Sequence, residues 1–146
     1  LDPKKARYME FRNVYHIFKG AILFILVAIY FIASLNGIGY SVPVEFWVPV
    51  LIGLLFIILG IYMPKIKPNW FMGIRTPWTL SSEEVWRKTH QAGGKAFILA
   101  GLALILSLFL PASWKIFTLI TAIFVLTIGT VVYSYLLYRK EEKKLK

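Results

Sequence analysis

Residues 69–95 read NWFMGIRTPWTLSSEEVWRKTHQAGGK and form the longest polar segment between apolar runs of the chain. Apolar runs long enough to cross a membrane lie on both sides of it, so the segment is predicted to connect two transmembrane helices. Connections of this length without structure of their own are uncommon in compact proteins and usually carry a function. The segment is therefore expected to contain both local structure and functional residues.

A turn is predicted near the start of this segment. Gly73 permits backbone angles that other residues avoid, and Pro77 favours an extended conformation at Thr76. The segment also has the aromatic composition of a membrane–water interface, with Trp70, Phe71, Trp78 and Trp86. On composition alone, a helix lying on the bilayer surface explains these residues as well as a binding site does.

A short amphipathic helix is predicted after the turn. Ser81 and Glu84 have the S-x-x-E spacing of a capping box, which places the helix at about residues 82–92. Leu80 and Val85 flank the box at the spacing of a hydrophobic staple. Two glutamates in the first turn also complement the positive end of the helix dipole.

The composition of the whole chain predicts an all-α bundle of four transmembrane helices. Of its 146 residues 58% are hydrophobic, and the mean hydropathy of +0.68 is too high for an ordinary soluble domain. The expected organisation is a linker or amphipathic approach, a membrane domain and a basic tail. Their bounds are 1–16 for the linker, 17–138 for the domain (spans 17–35, 46–63, 94–110 and 116–138, with loop 64–93) and 139–146 for the tail.

Two details of the spans follow from length and spacing. The apolar run 96–110 covers only about 22 Å at ~1.5 Å per residue, so the third span is expected to continue from the loop helix through a bend at Gly93 and Gly94. Ala96 and Ala100, with Gly101 beside them, are spaced for close helix approach. In the fourth span, one face is predicted to form a packing stripe of Thr127, Thr130 and Ser134.

The distribution of basic residues predicts the orientation in the membrane. Outside the apolar centres of the spans, Lys and Arg number five in the N-terminal segment (including Lys19), none in the first loop, six in the central loop (including Lys95), one in the third loop and five in the tail. Loops rich in Lys and Arg stay on the cytoplasmic side. Both termini and the central loop are therefore expected to face the cytoplasm of a multi-pass cell-membrane protein.

The run GIRTPWTLSSEEVWRKTH at residues 73–90, followed by Gly94, resembles the signature of the SdpI family of multi-pass membrane proteins. That family is named for a bacterial immunity protein that protects cells from a secreted toxic peptide. The resemblance implies immunity or membrane signalling through binding at the central loop, with the bilayer and a toxic peptide or cytoplasmic regulator as partners. It also suggests that residues 1–16 are the remnant of a longer N-terminal region. The implied functional residues are Asn69, Gly73, Arg75, Thr76, Pro77, Trp78, Trp86, His90 and Gly94.

An enzyme acting on a lipid head group is one alternative. Its candidate groups lie at the loop: Arg75, Ser81, Glu83, Glu84, Lys88 and His90. The start of the loop helix together with Arg75 could hold a phosphate, although two glutamates there would repel it. A transporter subunit is a second alternative, but the centres of the four spans contain no Asp, Glu, Lys, Arg or His to relay ions.

Cofactor, metal and nucleic-acid functions have little support in the sequence. The chain has no cysteine, and His16 and His90, with Glu10 or Glu83 as a further ligand, lack the spacing of known metal motifs. The net charge of +10 sits at the ends of apolar runs, where anionic lipid head groups explain it. No cofactor, metal ion or nucleic-acid partner is therefore predicted, and the sequence leaves the oligomeric state open.

Overall fold

The computed structural model describes residues 12–145, which fold into helices and connecting turns without a β-strand. The α-helices are α1 (Arg12–Gly37), α2 (Val44–Tyr62), α3 (Pro77–Ser81), α4 (Glu83–Leu106), α5 (Ala112–Phe124) and α6 (Thr130–Leu145). Four stretches are long and apolar enough to cross a membrane: Arg12–Gly37, Val44–Lys65, Glu83–Phe109 and Ser113–Lys144. They confirm the predicted all-α fold with four transmembrane helices.

The helices extend beyond the expected spans. Of the predicted linker 1–16, residues 1–11 lie outside the described part of the chain, and the remaining ones already belong to α1. The tail predicted from residue 139 continues α6 as far as Leu145. Basic side chains at a helix end cost little in water and favour the negative end of the helix dipole, so the helix need not stop where the apolar run stops.

The loop helix and the third span form one helix. α4 runs from Glu83 to Leu106 and remains α-helical through Gly93 and Gly94. The expectation of near continuity is therefore met, but the separate helix over residues 82–92 is not observed. Packing on both sides of the glycines supplies the stability that their low helix propensity lacks.

α4 is the central helix of the bundle, because it contacts α2, α3, α5 and α6, whereas α1 packs against α2. α2 is its closest neighbour, and the two helices approach each other most closely where two glycines of α2 face two glycines of α4. A Cβ atom at Gly60 would lie 2.6 Å from the carbonyl oxygen of Gly94, and one at Gly53 would lie 2.8 Å from that of Gly101. Small residues let two helix backbones approach this closely in a membrane.

The predicted close approach at Ala96 and Ala100 is therefore only partly right. These two alanines face α5 across an open groove, while Gly101 packs on α2. The spacing of small residues correctly indicated that this helix is packed against a neighbour. However, the two alanines lie on one face of the helix and Gly101 lies on another. The position of α2, which the sequence of α4 does not contain, determines that the glycine face makes the closest contact.

The predicted polar stripe of the fourth span is interrupted. A five-residue π-helical turn, Val125–Gly129, separates α5 from α6. Thr130 and Ser134 are buried, but Thr127 is exposed and its hydroxyl donates to the Ile123 carbonyl at 2.7 Å. A π-turn holds more residues than an α-turn, so it rotates the residues on one side of it relative to the other side.

The buried core lies at the loop end of the bundle. Val14 of α1, Met63 and Ile66 after α2, and Trp86 of α4 form one cluster. Phe18, Met72, Ile74 and Leu80 pack around it. The central segment is therefore held against the ends of three membrane helices, and this packing positions the candidate site.

Candidate functional site

Asn69 organises the first turn of the central segment with its side chain. Its Oδ1 accepts hydrogen bonds from the backbone N–H groups of Phe71 and Met72, both at 2.8 Å. Its Nδ2 donates to the carbonyls of Lys67 at 2.7 Å and Met72 at 3.2 Å. The side chain is only 1% exposed. Asn69 therefore acts as the internal support of a turn, a common use of asparagine.

His90 connects that turn to α4. The backbone N–H of Ile74 donates to Nε2 of His90 at 3.0 Å, so Nε2 carries no hydrogen. Nδ1 lies 2.9 Å from the Trp86 carbonyl and donates to it. The imidazole is 0% exposed, and these two bonds are satisfied together only by the neutral form protonated at Nδ1.

Gly73 fits against His90 because it has no side chain. Its φ of +107° is a conformation that glycine adopts easily. A Cβ atom added there would lie 2.4 Å from Nε2 of His90 and 3.3 Å from the Trp86 ring. The turn predicted at Gly73 is therefore present, and its shape matches the imidazole that it contacts.

Trp86 is the largest side chain in the core of the site. It is 1% exposed, its ring stacks on His90 with 4.1 Å between centroids, and its Nε1 donates to the Ile66 carbonyl at 2.8 Å. The expectation that Trp86 anchors at the membrane–water interface is therefore replaced by a buried position. The sequence contained no signal for its bond to Ile66, twenty residues earlier.

Thr76 and Pro77 begin α3 through a capping box that the sequence analysis missed. The Thr76 hydroxyl accepts from the Thr79 backbone N–H at 3.2 Å, and the Thr79 hydroxyl accepts from the Thr76 N–H at 2.9 Å. Pro77 occupies the first helical position, where its missing N–H costs nothing. A threonine followed by proline was the available signal.

The same hydroxyl joins α3 to the membrane bundle. The oxygens of Thr76 and Ser134 share a hydrogen bond of 3.0 Å between α3 and α6, and both side chains are buried. This contact spans 58 residues of sequence, so no local pattern could have predicted it. It gives the buried Ser134 hydroxyl a partner outside its own helix.

The predicted cap of the following helix is wrong by one residue. Ser82, not Ser81, is the N-cap of α4, and its hydroxyl accepts from the Val85 backbone N–H at 3.2 Å. Ser81 ends α3 and donates to the Trp78 carbonyl, while Glu84 pairs with Lys88 on the surface. Either of the two adjacent serines could cap α4. Because Ser81 is the last residue of α3, Ser82 becomes the N-cap.

Gly94 belongs to the packing between α2 and α4. A Cβ atom there would lie 2.7 Å from the Gly60 carbonyl oxygen. At Gly93 it would lie 2.5 Å from the side chain of Ile74. The two glycines thus let the central segment and α2 approach neighbouring faces of α4, so the role of Gly94 is close packing.

Two aromatic side chains and a nearby arginine near the start of the segment face outward. Trp70 is 51% and Phe71 59% exposed, and Arg75 is exposed while its guanidinium donates to the Trp70 carbonyl. We call Trp70, Phe71 and Arg75 the aromatic tip. Exposed aromatic residues beside a cation are typical of binding surfaces and of membrane interfaces.

Trp78 packs against the first half of α6. It is half-buried, its ring centroid is 5.0 Å from that of Tyr135, and the Arg139 guanidinium lies 5.8 Å from the Tyr135 ring. The edge of this stack remains open to solvent or lipid. Of the nine expected residues, the structure therefore exposes Arg75 and Pro77, half-buries Trp78 and leaves Gly73 open on one side.

The groups considered for catalysis have other partners in the structure. His90 is buried with both ring nitrogens bonded, Ser81 donates to a carbonyl, and Glu84 pairs with Lys88. No set of three or more His, Cys, Asp or Glu residues that could hold a metal ion is found over residues 12–145. Glu10 lies outside that range, and His16 is exposed beside Tyr15.

These features define a class: a multi-pass membrane protein of four transmembrane helices with a folded connecting segment packed on one end. Comparison with known proteins supplies the family. The SdpI/YfhL protein family matches residues 65–134, which include the central segment, the third span and most of the fourth. The chain is therefore similar to the SdpI/YfhL family over these elements, which supports the resemblance found in the sequence.

A characterised relative is the immunity protein SdpI of Bacillus subtilis strain 168, which is 26% identical over 119 residues. The alignment covers 82% of this chain and 58% of the relative, so the chain spans little more than half the relative's length. No solved structure matches the chain.

Proposed function

We propose that this chain serves as a membrane immunity protein and that it works by binding through the central segment, not by catalysis. Similarity to the SdpI/YfhL family and to the immunity protein SdpI supports the immunity role. The internal bonding of Asn69, Thr76, Trp86 and His90 supports binding, because these side chains hold the segment in shape and leave no accessible acid–base pair among them. A rigid support beneath an exposed surface is what an occupancy mechanism needs.

The aromatic tip is the surface that this support presents. Trp70 and Phe71 are exposed on the turn that Asn69 supports through its hydrogen bonds, and Arg75 bonds to the same turn. Tryptophan and arginine are enriched among residues that dominate binding energy. The partner is a toxic peptide or a cytoplasmic regulator, and the tip would contact it with its two rings and its cation.

Replacing the tip residues is expected to reduce protection while leaving the protein in the membrane. The chain would replace the resident SdpI protein of Bacillus subtilis, and survival during toxin production would be measured. Trp70→Ala and Arg75→Ala should each reduce protection in graded steps, at about 1–2 kcal/mol per residue. Arg87→Ala, an exposed arginine on α4, is the matched control and should protect fully.

The alternative enzyme would respond differently. It would lose 10²–10⁴-fold in rate when one acid–base residue is removed, so Glu83→Gln or Glu84→Gln would abolish protection completely. If either did so at normal protein levels, or if both tip variants protected as well as the wild type, the binding mechanism would be wrong.

We further propose that both termini and the central segment face the cytoplasm, on the basis of the distribution of Lys and Arg. Since the chain has no cysteine, single cysteines can report the topology. An impermeant thiol reagent added to intact cells should label Ser41→Cys and Ser113→Cys but not Ser81→Cys, and all three positions are exposed. Labelling at 81 alone would reverse the orientation.

A further inference from the structure

An apolar groove lies at the end of the bundle opposite the central segment. α2 and α5 form its walls, with Val48 and Ile52 on one side and Ile116 and Leu119 on the other, and Leu104 of α4 lies at its floor. Its volume is about 340 Å³. From Val44 to Ile52, α2 rises about 12 Å at ~1.5 Å per residue. The groove therefore extends from the polar end of the helices into the hydrocarbon region.

Two opposite charges line this groove at its polar end. Glu45 lies in the first turn of α2 and Lys115 in the first turn of α5. Among residues 12–145, neither forms an ion pair or a side-chain hydrogen bond, with the other or with a third group. Opposite charges beside the same groove and not paired with each other can both be satisfied by a ligand that carries both signs.

The backbone adds a hydrogen-bond acceptor beside the acidic group. α2 begins at Val44, two residues earlier than expected, so Pro49 lies in its second turn and not in the first. Proline has no N–H, and the carbonyl four residues before it loses its usual helical donor. That carbonyl belongs to Glu45. A cation with several N–H donors could thus bond both the carboxylate and the carbonyl of one residue.

We infer that this groove binds a phospholipid with a primary ammonium head group, of the phosphatidylethanolamine class. One acyl chain occupies the apolar groove, the phosphate contacts Lys115, and the ammonium group donates to Glu45. A choline head group carries both charges but has no N–H donor, and a glycerol head group has no cation to offset Glu45. This site is separate from the aromatic tip, and it does not depend on the proposed immunity function.

Lipid retention by the full chain would test this site. The chain would be reconstituted in nanodiscs of equal parts dioleoyl phosphatidylethanolamine, phosphatidylcholine and phosphatidylglycerol, and the lipids that it retains would be measured by native mass spectrometry. We expect phosphatidylethanolamine to be retained about tenfold over the other two, the size of one hydrogen bond to a charged group. Glu45→Gln should remove most of this preference, whereas Glu142→Gln, at the opposite end of the bundle, should keep it.

Two further measurements separate this site from its alternatives. A phosphatidylethanolamine with a photoreactive acyl chain should crosslink to residues of the groove, and Leu119→Trp, which fills the groove, should abolish that crosslink. Equal retention of the three lipids by the wild type, or an unchanged preference in Glu45→Gln, would overturn the assignment. Loss of protection in Leu119→Trp with unchanged retention of phosphatidylethanolamine would instead assign the groove to a peptide.

Discussion

Gly60→Ala is expected to destabilise the protein by about 1–3 kcal/mol, because the added methyl group meets backbone atoms that cannot rotate away. Its Cβ would lie 2.6 Å from the Gly94 carbonyl oxygen and 2.9 Å from the Ile98 nitrogen. α2 and α4 must then separate, which also disturbs the second glycine pair of the interface. Thermal unfolding of the purified protein in detergent would show this as a midpoint several degrees lower.

Gly20→Ala is the matched control, since that glycine is also helical and has nothing within 4 Å of an added Cβ. Alanine favours helix over glycine by about 1 kcal/mol, so this variant should unfold at the same temperature or a higher one. The Gly60→Ala and Gly94→Ala effects should be non-additive, because each methyl group opens the same contact. Additive effects would mean that the two glycines do not share one interface.

Gly73→Ala is expected to disrupt the central segment and to remove protection. The change combines backbone strain at φ +107° with a Cβ only 2.4 Å from Nε2 of His90. The imidazole must move, and Ile74 then loses the acceptor of its backbone N–H, which would cost about 1–3 kcal/mol if left buried. Hydrogen exchange at Ile74 and at Thr76 to Thr79 should accelerate, while exchange in α1 should not change.

Gly39→Ala distinguishes the cost of a strained backbone angle from the cost of a steric clash with His90. Gly39 also has a positive φ of +97°, but nothing lies within 4 Å of an added Cβ. This variant should show only the cost of the backbone conformation, about 1–3 kcal/mol, and it should keep its protective function. If Gly39→Ala and Gly73→Ala were equally harmful, the contact between Gly73 and His90 would have no energetic role.

Sequence reasoning was most accurate where the deciding forces are local. The four apolar stretches, the turn at Gly73 and the continuity of the third span with the loop all depend on hydropathy, chain length and glycine geometry. It was least accurate where two local solutions have nearly equal energy. Ser81 and Ser82 are both good N-caps, and only the end of α3 at Ser81 leaves Ser82 to begin α4.

The candidate site divides in the same way. Residues 69–95 could be singled out as a candidate functional segment from their polarity and family resemblance, but the pattern could not distinguish supporting residues from exposed ones. Trp86 and Trp70 are both tryptophans in the same polar, aromatic-rich segment, yet Trp86 is 1% exposed and Trp70 is 51% exposed. Burial depends on which elements pack above a residue, and the cluster around Trp86 comes from three separate parts of the chain.

The class of protein, the number of spans and the place of the central segment follow from the sequence alone, because the cost of burying polar groups in lipid acts on each stretch of chain separately. The glycine pairs of α2 and α4, the protonation of His90 at Nδ1 and the bond between Thr76 and Ser134 could be found only in the folded protein. These features depend on atoms that are distant in sequence and within 3 Å or so in space. Their energies appear only after the helices have packed.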